Sequence, residues 1–404
     1  MLEWLARHPV SDPFLVFGDR IWTYGETLAE VETRISADWV VHEPSLRPAS
    51  VFSILAGLSG AGITVIPPDR PDVPGIKYQA PSTTGEARLI VFTSGSGGSP
   101  KGVRLTMANL EAAARASLRH LGHGPQDRWL LCLPLHHVAG LSILVRSAFA
   151  GGSVELQEGF SPKAAATAMR GGVTMVSMVP TMLLRTLDHD PGPYRDLRAV
   201  VLGGGPIPDG LLERAAAAGI PALPSYGMTE TFGQVATLRP GSLPERRAHP
   251  LPGIEMRIEP DGRIALAGAQ VSPGYAGEPD RSDRWFVTND RGEIDREGAV
   301  RVLGRSDAVI VSGGENVNPQ VIESALQGHP GAGDVVVVGI PDEEWGAIAV
   351  CLYTGDATPD ELSEWLRERV PGHHVPKRWT RVDRIPRAGL GKPDRAAARR
   401  LAGG

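Results

Sequence analysis

The sequence predicts an α/β protein in two unequal parts. A large N-terminal domain of mostly parallel α/β sheets plus an antiparallel β segment precedes a small, mobile α+β C-terminal domain. Three observations predict this. Short apolar runs alternate with amphipathic stretches over the first 240 residues; near residue 250 the pattern changes to paired alternating runs around turns; and past residue 303 a second, shorter series begins.

The strand candidates of the first part are GITVIPP (62–68), RLIVF (88–92), WLLCLP (129–134), VTMVSMVP (173–180) and RAVVLGG (198–204). Between them, TMANLEAAARASLRHL (106–121) and DGLLERAAAAG (209–219) carry apolar residues at a spacing near 3.6. Alternation of this kind argues for parallel strands joined by helices. GIEMRIEPDGRIALAG then holds two alternating runs around PDG, a hairpin signal, and GEIDREGAVRVLG reads as a second hairpin. In the last part VVVVGIPDEEWGAIAVCLY reads as two strands around a turn. PDELSEWLRERV reads as a helix with Asp360 and Glu361 near its start and basic residues near its end, as the helix dipole favours. The division is therefore residues 1–303, a hinge at 304–307 and residues 308–404.

Bulk composition fits that picture. The chain has 404 residues, 42% hydrophobic and 22% charged, ordinary for a globular protein with a sizeable core. Its 49 glycines and 35 prolines are spread along the chain and mark turns, not disorder. A net charge of −5 argues against nucleic acid as a partner. The region from Arg367 onward departs from this average, with eleven Lys/Arg against Glu368, Asp383 and Asp394. It is either a solvated basic surface or a tail that meets a polyanionic small molecule. Cys132 and Cys351 lie in apolar strand-like stretches with no spacing for zinc or redox chemistry, as buried thiols of a reducing compartment would. The N-terminus is broken by charge and proline, and no apolar run approaches the ~20 residues that span a bilayer. The expectation is a cytoplasmic protein without membrane insertion; self-association into a homo-oligomer is compatible with it.

Residues 93–102, TSGSGGSPKG, follow the RLIVF strand. Gly95, Gly97 and Gly98 put little steric limit on φ, so successive N–H groups can turn inward around an anion. Thr93, Ser94 and Ser96 add hydroxyls, and Lys101 adds a charge. The Walker A pattern fails, because Lys101 follows a proline and precedes a glycine; the GxGxxG dinucleotide pattern fails on spacing. A purely structural turn is the plain alternative.

The string resembles the phosphate loop of the adenylate-forming enzymes, the superfamily of acyl-CoA synthetases, peptide-synthetase adenylation domains and luciferases, whose loop usually reads TSGSTGxPKG. Four more motifs follow in that superfamily's order: LPLHHVAGL (133–141), SYGMTET (225–231), WFVTNDRGEID (285–295) with GRSDAVIVSGGENVNPQVIE (304–323), and IPRAGLGKPDRAA (385–397). Within it, LPLHHVAGLSILVRS, LGGGPIP, IPALPSYGMTETFGQVATL and a chain compacted near its N-terminus are most similar to the bacterial o-succinylbenzoate–CoA ligases of menaquinone synthesis.

The resemblance implies two half-reactions. A carboxylate attacks the α-phosphate of ATP to give acyl-AMP and pyrophosphate, and the thiol of CoA then displaces AMP. It implies ATP, Mg²⁺ and CoA, with a small carboxylic acid as the other partner. It assigns Thr93, Ser94, Gly95, Ser96, Gly97, Gly98 and Lys101 to the phosphates, Thr229 to the α-phosphate, and Glu230 to the metal. Gly203, Gly204, Gly205, Ser225, Tyr226 and Gly227 would line the adenine and acyl pockets, with Tyr226 stacking on adenine. Asp290 would take the ribose hydroxyls, helped by Arg305. Lys392 would bridge the attacking carboxylate and the α-phosphate. Asp307 would carry the hinge, and Ser312, Gly313 and Gly314 would reach the CoA channel after domain rotation.

His137, rather than His136, would face the acyl carboxylate. Arg146 is a cation in the apolar run LSILVRSAFAG. Either it snorkels to the surface or it meets the second carboxylate of a diacid; Ser225 and Thr231 are further pocket candidates. The alternatives are an aryl- or acyl-CoA ligase for a monocarboxylic acid and a catalytically inactive nucleotide-binding relative. An amino-acid-adenylating module is disfavoured, since LPLHHVAGL has no aspartate for a substrate ammonium. One position departs from the superfamily pattern: Gly97 stands where threonine is usual, which removes one hydroxyl donor.

Overall fold

The computed structural model describes residues 1–38, 40–68, 86–93, 101–205, 207, 210–241, 248–388 and 392–403; for Asp307, Asn316, Ala388 and Lys392 only the backbone is described. The chain opens with α1 (Leu2–Leu5), a hairpin of β1 (Pro13–Phe17) and β2 (Arg20–Thr23), and α2 (Tyr24–Glu32). Then come β3 (Val40–Val41), α3 (Pro48–Ser59), β4 (Thr64–Ile66), β5 (Ala87–Phe92) and β6 (Gly102–Thr106). Helix α4 (Met107–Leu121) starts at once, because Thr106 and Asn109 cap its first turn reciprocally.

A regular alternation follows: β7 (Arg128–Leu131), α5 (Val138–Ala150), β8 (Ser153–Leu156), α6 (Pro162–Arg170), β9 (Met175–Met178), α7 (Pro180–His189), β10 (Ala199–Leu202), α8 (Leu211–Ala217) and β11 (Ala222–Met228). Beyond a 3₁₀ turn at Thr229–Thr231 the chain becomes β-rich: β12 (Gly233–Thr237), β13 (His249–Pro250), β14 (Glu255–Ile258), β15 (Arg263–Ala267), β16 (Gly274–Tyr275), β17 (Phe286–Ile294) and β18 (Val300–Arg305). After a second 3₁₀ turn at Ser306–Ala308 come β19 (Ile310–Ser312), β20 (Glu315–Val317), α9 (Pro319–Leu326), β21 (Ala332–Asp342), β22 (Gly346–Gly355) and α10 (Pro359–Arg367). The chain closes on β23 (Arg378–Arg381), β24 (Arg387–Ala388), β25 (Lys392–Pro393) and α11 (Arg395–Leu401).

Three sheets build the N-terminal part. The largest has the order β13-β12-β11-β10-β9-β7-β8-β1-β2, parallel from β11 to β1 and antiparallel at both edges. A five-stranded sheet has the order β16-β6-β5-β4-β3, and a four-stranded antiparallel one the order β14-β15-β17-β18. The central strands β9 and β10 are buried at every position, as expected where helices cover both faces. The expected mixed architecture is thus present, as are both hairpins and the helices around 106–121 and 209–219. Strand β6 is one of several elements the sequence reading passed over, with β1, β2, β3 and β8: the glycine-serine stretch is followed by a strand antiparallel to β5, and the helix comes only afterwards.

The last part packs β21, β22 and β23 as one sheet between α9 and α10 on one face and α11 on the other, with Val337, Cys351, Leu362 and Leu366 in one apolar layer and Val336, Val350, Leu352 and Ala398 in the other. Cys132 and Cys351 are both free and buried. Among the described residues no helix is long and apolar enough to cross a membrane.

Candidate active site

The strand order of the largest sheet selects the place for a ligand. The chain leaves β7 for β8 on one side and β9 for β10 on the other, so the order reverses between β7 and β9. Open parallel sheets bind ligands beyond the carboxyl ends of their strands at such a point. The segment after β7 is Cys132–His137; Gly203–Gly205 follow β10, and β11 runs into the Thr229–Thr231 turn. The motif residues on separate stretches of sequence therefore meet at one edge of one sheet.

His137 is the N-cap residue of α5, with extended backbone, and its ring centroid lies 4.3 Å from that of His136. Gly140 makes this entry possible: a Cβ there would come 2.5 Å from the Pro134 carbonyl oxygen. His136 lines a cavity of about 270 Å³ with Pro44, Ser45, Leu46, Arg47, Pro134 and Glu158.

Helix α5 is buried along almost its whole length, and Arg146 is 4% exposed within it. The snorkelling alternative is excluded. Its Nε donates to the Ser142 carbonyl at 3.0 Å and Nη2 donates to Ser142 Oγ at 2.8 Å, while the guanidinium lies over the Trp129 ring, 4.7 Å from the centroid. Nη1 has no hydrogen-bond partner, and burial lowers the guanidinium pKa to about 9. Ser225 Oγ shares a 2.9 Å hydrogen bond with Thr237 Oγ1, which accepts from Gln234 Nε2 at 3.0 Å; Gln234 Oε1 accepts from Ser117 Oγ at 3.2 Å. Neither Ser142 nor the Gln234–Thr237–Ser117 chain was foreseen, since polar residues inside a strand and two helices carry no motif of their own.

Thr231 corrects the sequence reading. It is fully buried, and its hydroxyl is shared between the carbonyls of Gly233 (2.8 Å) and Met228 (3.1 Å), so the hydroxyl closes the turn instead of facing a ligand. Thr229 and Glu230 beside it are half-buried.

On the nucleotide side, Thr93 N donates to Lys101 O at 2.9 Å and closes the neck of the loop. Ser94, Gly95, Ser96, Gly97 and Gly98 lie outside the described residues. Lys101 Nζ stands 3.5 Å from Glu278 Oε1 and 4.8 Å from the centroid of the Tyr275 ring. The Tyr275 hydroxyl donates to Glu230 Oε1 at 2.9 Å. The Tyr226 hydroxyl donates to Asp290 Oδ2 at 2.7 Å; burial and the Asp290 charge hold that phenol protonated far above its ordinary range. Asp290 and Arg305 are register partners on β17 and β18, with Arg305 Nη1 3.9 Å from Asp290 Oδ1. Tyr226, Asp290 and Arg305 thus form one cluster.

Among the described residues no group of three or more His, Cys, Asp or Glu could hold a metal. Magnesium fits such a place, because it typically keeps one or two carboxylates, several waters and phosphate oxygens. Glu230, with one oxygen already oriented by a phenol, is a donor of that kind.

In the C-terminal part, Gly313 N donates to Trp345 O at 2.9 Å, and Gly313 and Gly314 both have positive φ. Ser312 ends β19, and Asp307 lies in the Ser306–Ala308 turn. Lys392 opens β25, paired with Ala388; its side chain lies outside the described atoms.

Comparison with known proteins identifies the family. Residues 50–276 match the AMP-binding enzyme family, and residues 321–392 match the AMP-binding enzyme C-terminal domain. The chain is 36% identical to a 2-succinylbenzoate–CoA ligase of Listeria monocytogenes serotype 4b (strain F2365), over 79% of this chain and 72% of that protein. It superimposes on o-succinylbenzoate CoA synthetase (MenE) from Bacillus subtilis in complex with the acyl-adenylate intermediate OSB-AMP, with a TM-score of 0.88 and 27% identity, covering 98% of this chain and 97% of that one. The same enzyme in complex with ATP and magnesium ion gives a TM-score of 0.86 at 28% identity, covering 98% of each chain. The chain belongs to the AMP-binding, adenylate-forming enzyme family.

Proposed function

We propose that the protein is an AMP-forming acid–thiol ligase that activates 2-succinylbenzoate, the o-succinylbenzoate of the sequence reading, and transfers it to CoA for menaquinone synthesis. The observation that carries the substrate is Arg146. A buried guanidinium with one unpartnered N–H group is costly unless an anion meets it. Its head is bonded at the level of Ser142, five residues beyond His137 on the same helix. At ~1.5 Å per residue that is about 7.5 Å along the axis, the scale of an aromatic diacid with one carboxylate at each end.

In this reading a carboxylate oxygen attacks the α-phosphorus, the bond to the β-phosphate oxygen breaks, and pyrophosphate leaves. His137 orients the attacking carboxylate, Thr229 donates to the α-phosphate, and Lys101 with Thr93 holds the departing phosphates. Negative charge grows on the phosphoryl oxygens, so donors fixed in advance lower the barrier. Magnesium held by Glu230 would neutralise phosphate charge. Asp290, with Arg305, takes the ribose hydroxyls, and Tyr226 the adenine. Lys392, brought in by the C-terminal domain, bridges carboxylate and phosphate. After that domain rotates about Asp307, Ser312–Gly314 line the approach of CoA, whose sulfur attacks the acyl carbon and displaces AMP. Two buried free cysteines favour a cytoplasmic setting.

The test mixes ATP, CoA and a panel of carboxylic acids and follows AMP release. Turnover with 2-succinylbenzoate well above that with benzoate or a fatty acid is expected; the reverse ranking rejects this substrate. Arg146→Ala should raise KM for the diacid at least tenfold, by the ~1.5–3 kcal/mol of a charged hydrogen bond, and change a monoacid's little. Equal effects on both would remove Arg146 from the pocket.

A further inference from the structure

Strand β16 is two residues long, yet it stands between the carboxylate and the ammonium that would meet the pyrophosphate end of ATP. We propose that Tyr275 is a positioning residue: its hydroxyl orients Glu230 for the metal–nucleotide complex, and its ring gives Lys101 a resting place. The proposal rests on the adenylating reading of the site and adds to it a residue outside the five motifs.

Two sets of hydrogen bonds fix the tyrosine against both partners. Antiparallel pairing sets Tyr275 opposite Val103 and Gly274 opposite Arg104, and Ala276 N donates to Gly102 O at 2.7 Å. Tyr275 is therefore held in register two residues from Lys101. On the other side, Ser272 N donates to the Glu230 carbonyl at 2.7 Å, and Ser272 Oγ donates to Arg104 O at 2.7 Å. The turn that carries Glu230 and the strand that carries Tyr275 are thus tied together through backbone atoms.

The side-chain chain then runs from Glu230 Oε1 to the Tyr275 hydroxyl (2.9 Å), from the Tyr275 ring to Lys101 Nζ (4.8 Å), and from Lys101 Nζ to Glu278 Oε1 (3.5 Å). A carboxylate on a flexible stem loses rotational freedom when one oxygen accepts a fixed donor, so its other lone pairs reach a cation with less entropy left to lose. Partners behind a metal ligand typically matter by 10–100-fold in affinity. The last contact is weak by comparison, because Lys101 and Glu278 are 59% and 52% exposed, and a triphosphate would displace it.

The test is Tyr275→Phe, which keeps the ring and its packing and removes only the donor. Mn²⁺ serves as the probe in magnesium's place, titrated into the full-length protein with a non-cleavable ATP analogue and followed by electron paramagnetic resonance. The expected result is about tenfold weaker Mn²⁺ binding in the ternary complex, with an unchanged thermal midpoint. Thioester formation from presynthesised acyl-adenylate should stay at the wild-type rate, because that step involves no pyrophosphate. Tyr275→Leu should also weaken nucleotide binding measured without metal, through loss of the ring beneath Lys101. Wild-type Mn²⁺ affinity in Tyr275→Phe overturns the proposal, as does a wild-type protein that forms no ternary complex. A protein that binds Mn²⁺ and nucleotide yet releases AMP with no acid refutes the function while leaving the Tyr275 result to be judged on binding alone.

Discussion

Beneath Arg146 lies a group of polar atoms that folding leaves without partners. His123 Nε2, Trp129 Nε1 and Arg146 Nη1 are all buried without a hydrogen bond, and the His123 and Trp129 rings meet edge to face at 5.6 Å. Burial first, and the Arg146 charge second, lower the His123 pKa to about 3, against a weaker opposing pull from Asp127. The unfolded chain takes up a proton near pH 6.5 and the folded chain does not. Stability is therefore complete above pH ~6.5 and falls as pH drops toward 3, by on the order of 3 kcal/mol between pH 7 and pH 4. Burial lowers His42, His120 and His374 in the same direction. Denaturant unfolding of His123→Phe should show a much smaller loss between those pH values than wild type. An identical loss in both proteins would assign the acid sensitivity elsewhere.

At the scale of elements, the site depends on how β11 turns into its 3₁₀ turn and back along β12. Gly227 sits where the register between those strands shifts, and a Cβ there would fall inside the van der Waals shell of the Gly233 carbonyl oxygen. Phe232, the residue that reverses the chain, has positive φ although it is not glycine (49°), and it is buried. The turn that presents Thr229 and Glu230 is thus held by close backbone approach and by local strain. Gly227→Ala should cost about 1–3 kcal/mol, the usual overpacking penalty, and lower the thermal midpoint by several degrees. It should also raise KM for ATP more than KM for CoA, measured side by side; a midpoint and KM values like wild type would show that the strands can spread.

This element also shows what sequence could and could not tell. SYGMTET was readable because Tyr, Thr and Glu at that spacing match a superfamily pattern, and the apolar runs before it are too short and dense for anything but buried strands. Thr231 was misread because a hydroxyl in a motif looks the same whether it faces a ligand or a carbonyl. Tyr275 was missed because its partner Glu230 is 45 residues away and its strand has two residues, too few for any periodicity. Gln234, Thr237 and Ser117 come together only through the packing of β11, β12 and α4. Local pattern revealed the central strands, the hairpins and some of the helices; pairing across the chain remained hidden wherever no motif named both ends.

At the scale of the whole molecule, the proposed chemistry needs one face of the C-terminal part at a time. The junction already ties the two parts locally: Asn318 Nδ2 donates to Leu303 O at 2.8 Å, and Ser306 Oγ donates to Asn289 O at 2.9 Å. Just beyond Lys392, Arg395 donates to Glu323 Oε2 at 2.7 Å and to Val337 O at 2.5 Å, with Glu323 5% exposed. Arg395 is itself 38% exposed, so the cost of breaking the pair falls on the buried carboxylate, which would lose a charged partner. It fastens the start of α11, and with it the β24–β25 hairpin, to the core of its own domain. In the proposed chemistry the lysine would therefore enter and leave the site together with its domain, as two alternating half-reactions require. If Lys392 acts in adenylation alone, Lys392→Ala should lower AMP formation from ATP and acid by several orders of magnitude. The same variant should convert presynthesised acyl-adenylate and CoA to thioester at a rate near wild type. Rapid-quench measurement of the two half-reactions separates these outcomes. Equal loss in both would mean that the lysine serves the fold or the CoA step as well, and the assignment of one face to each half-reaction would fail.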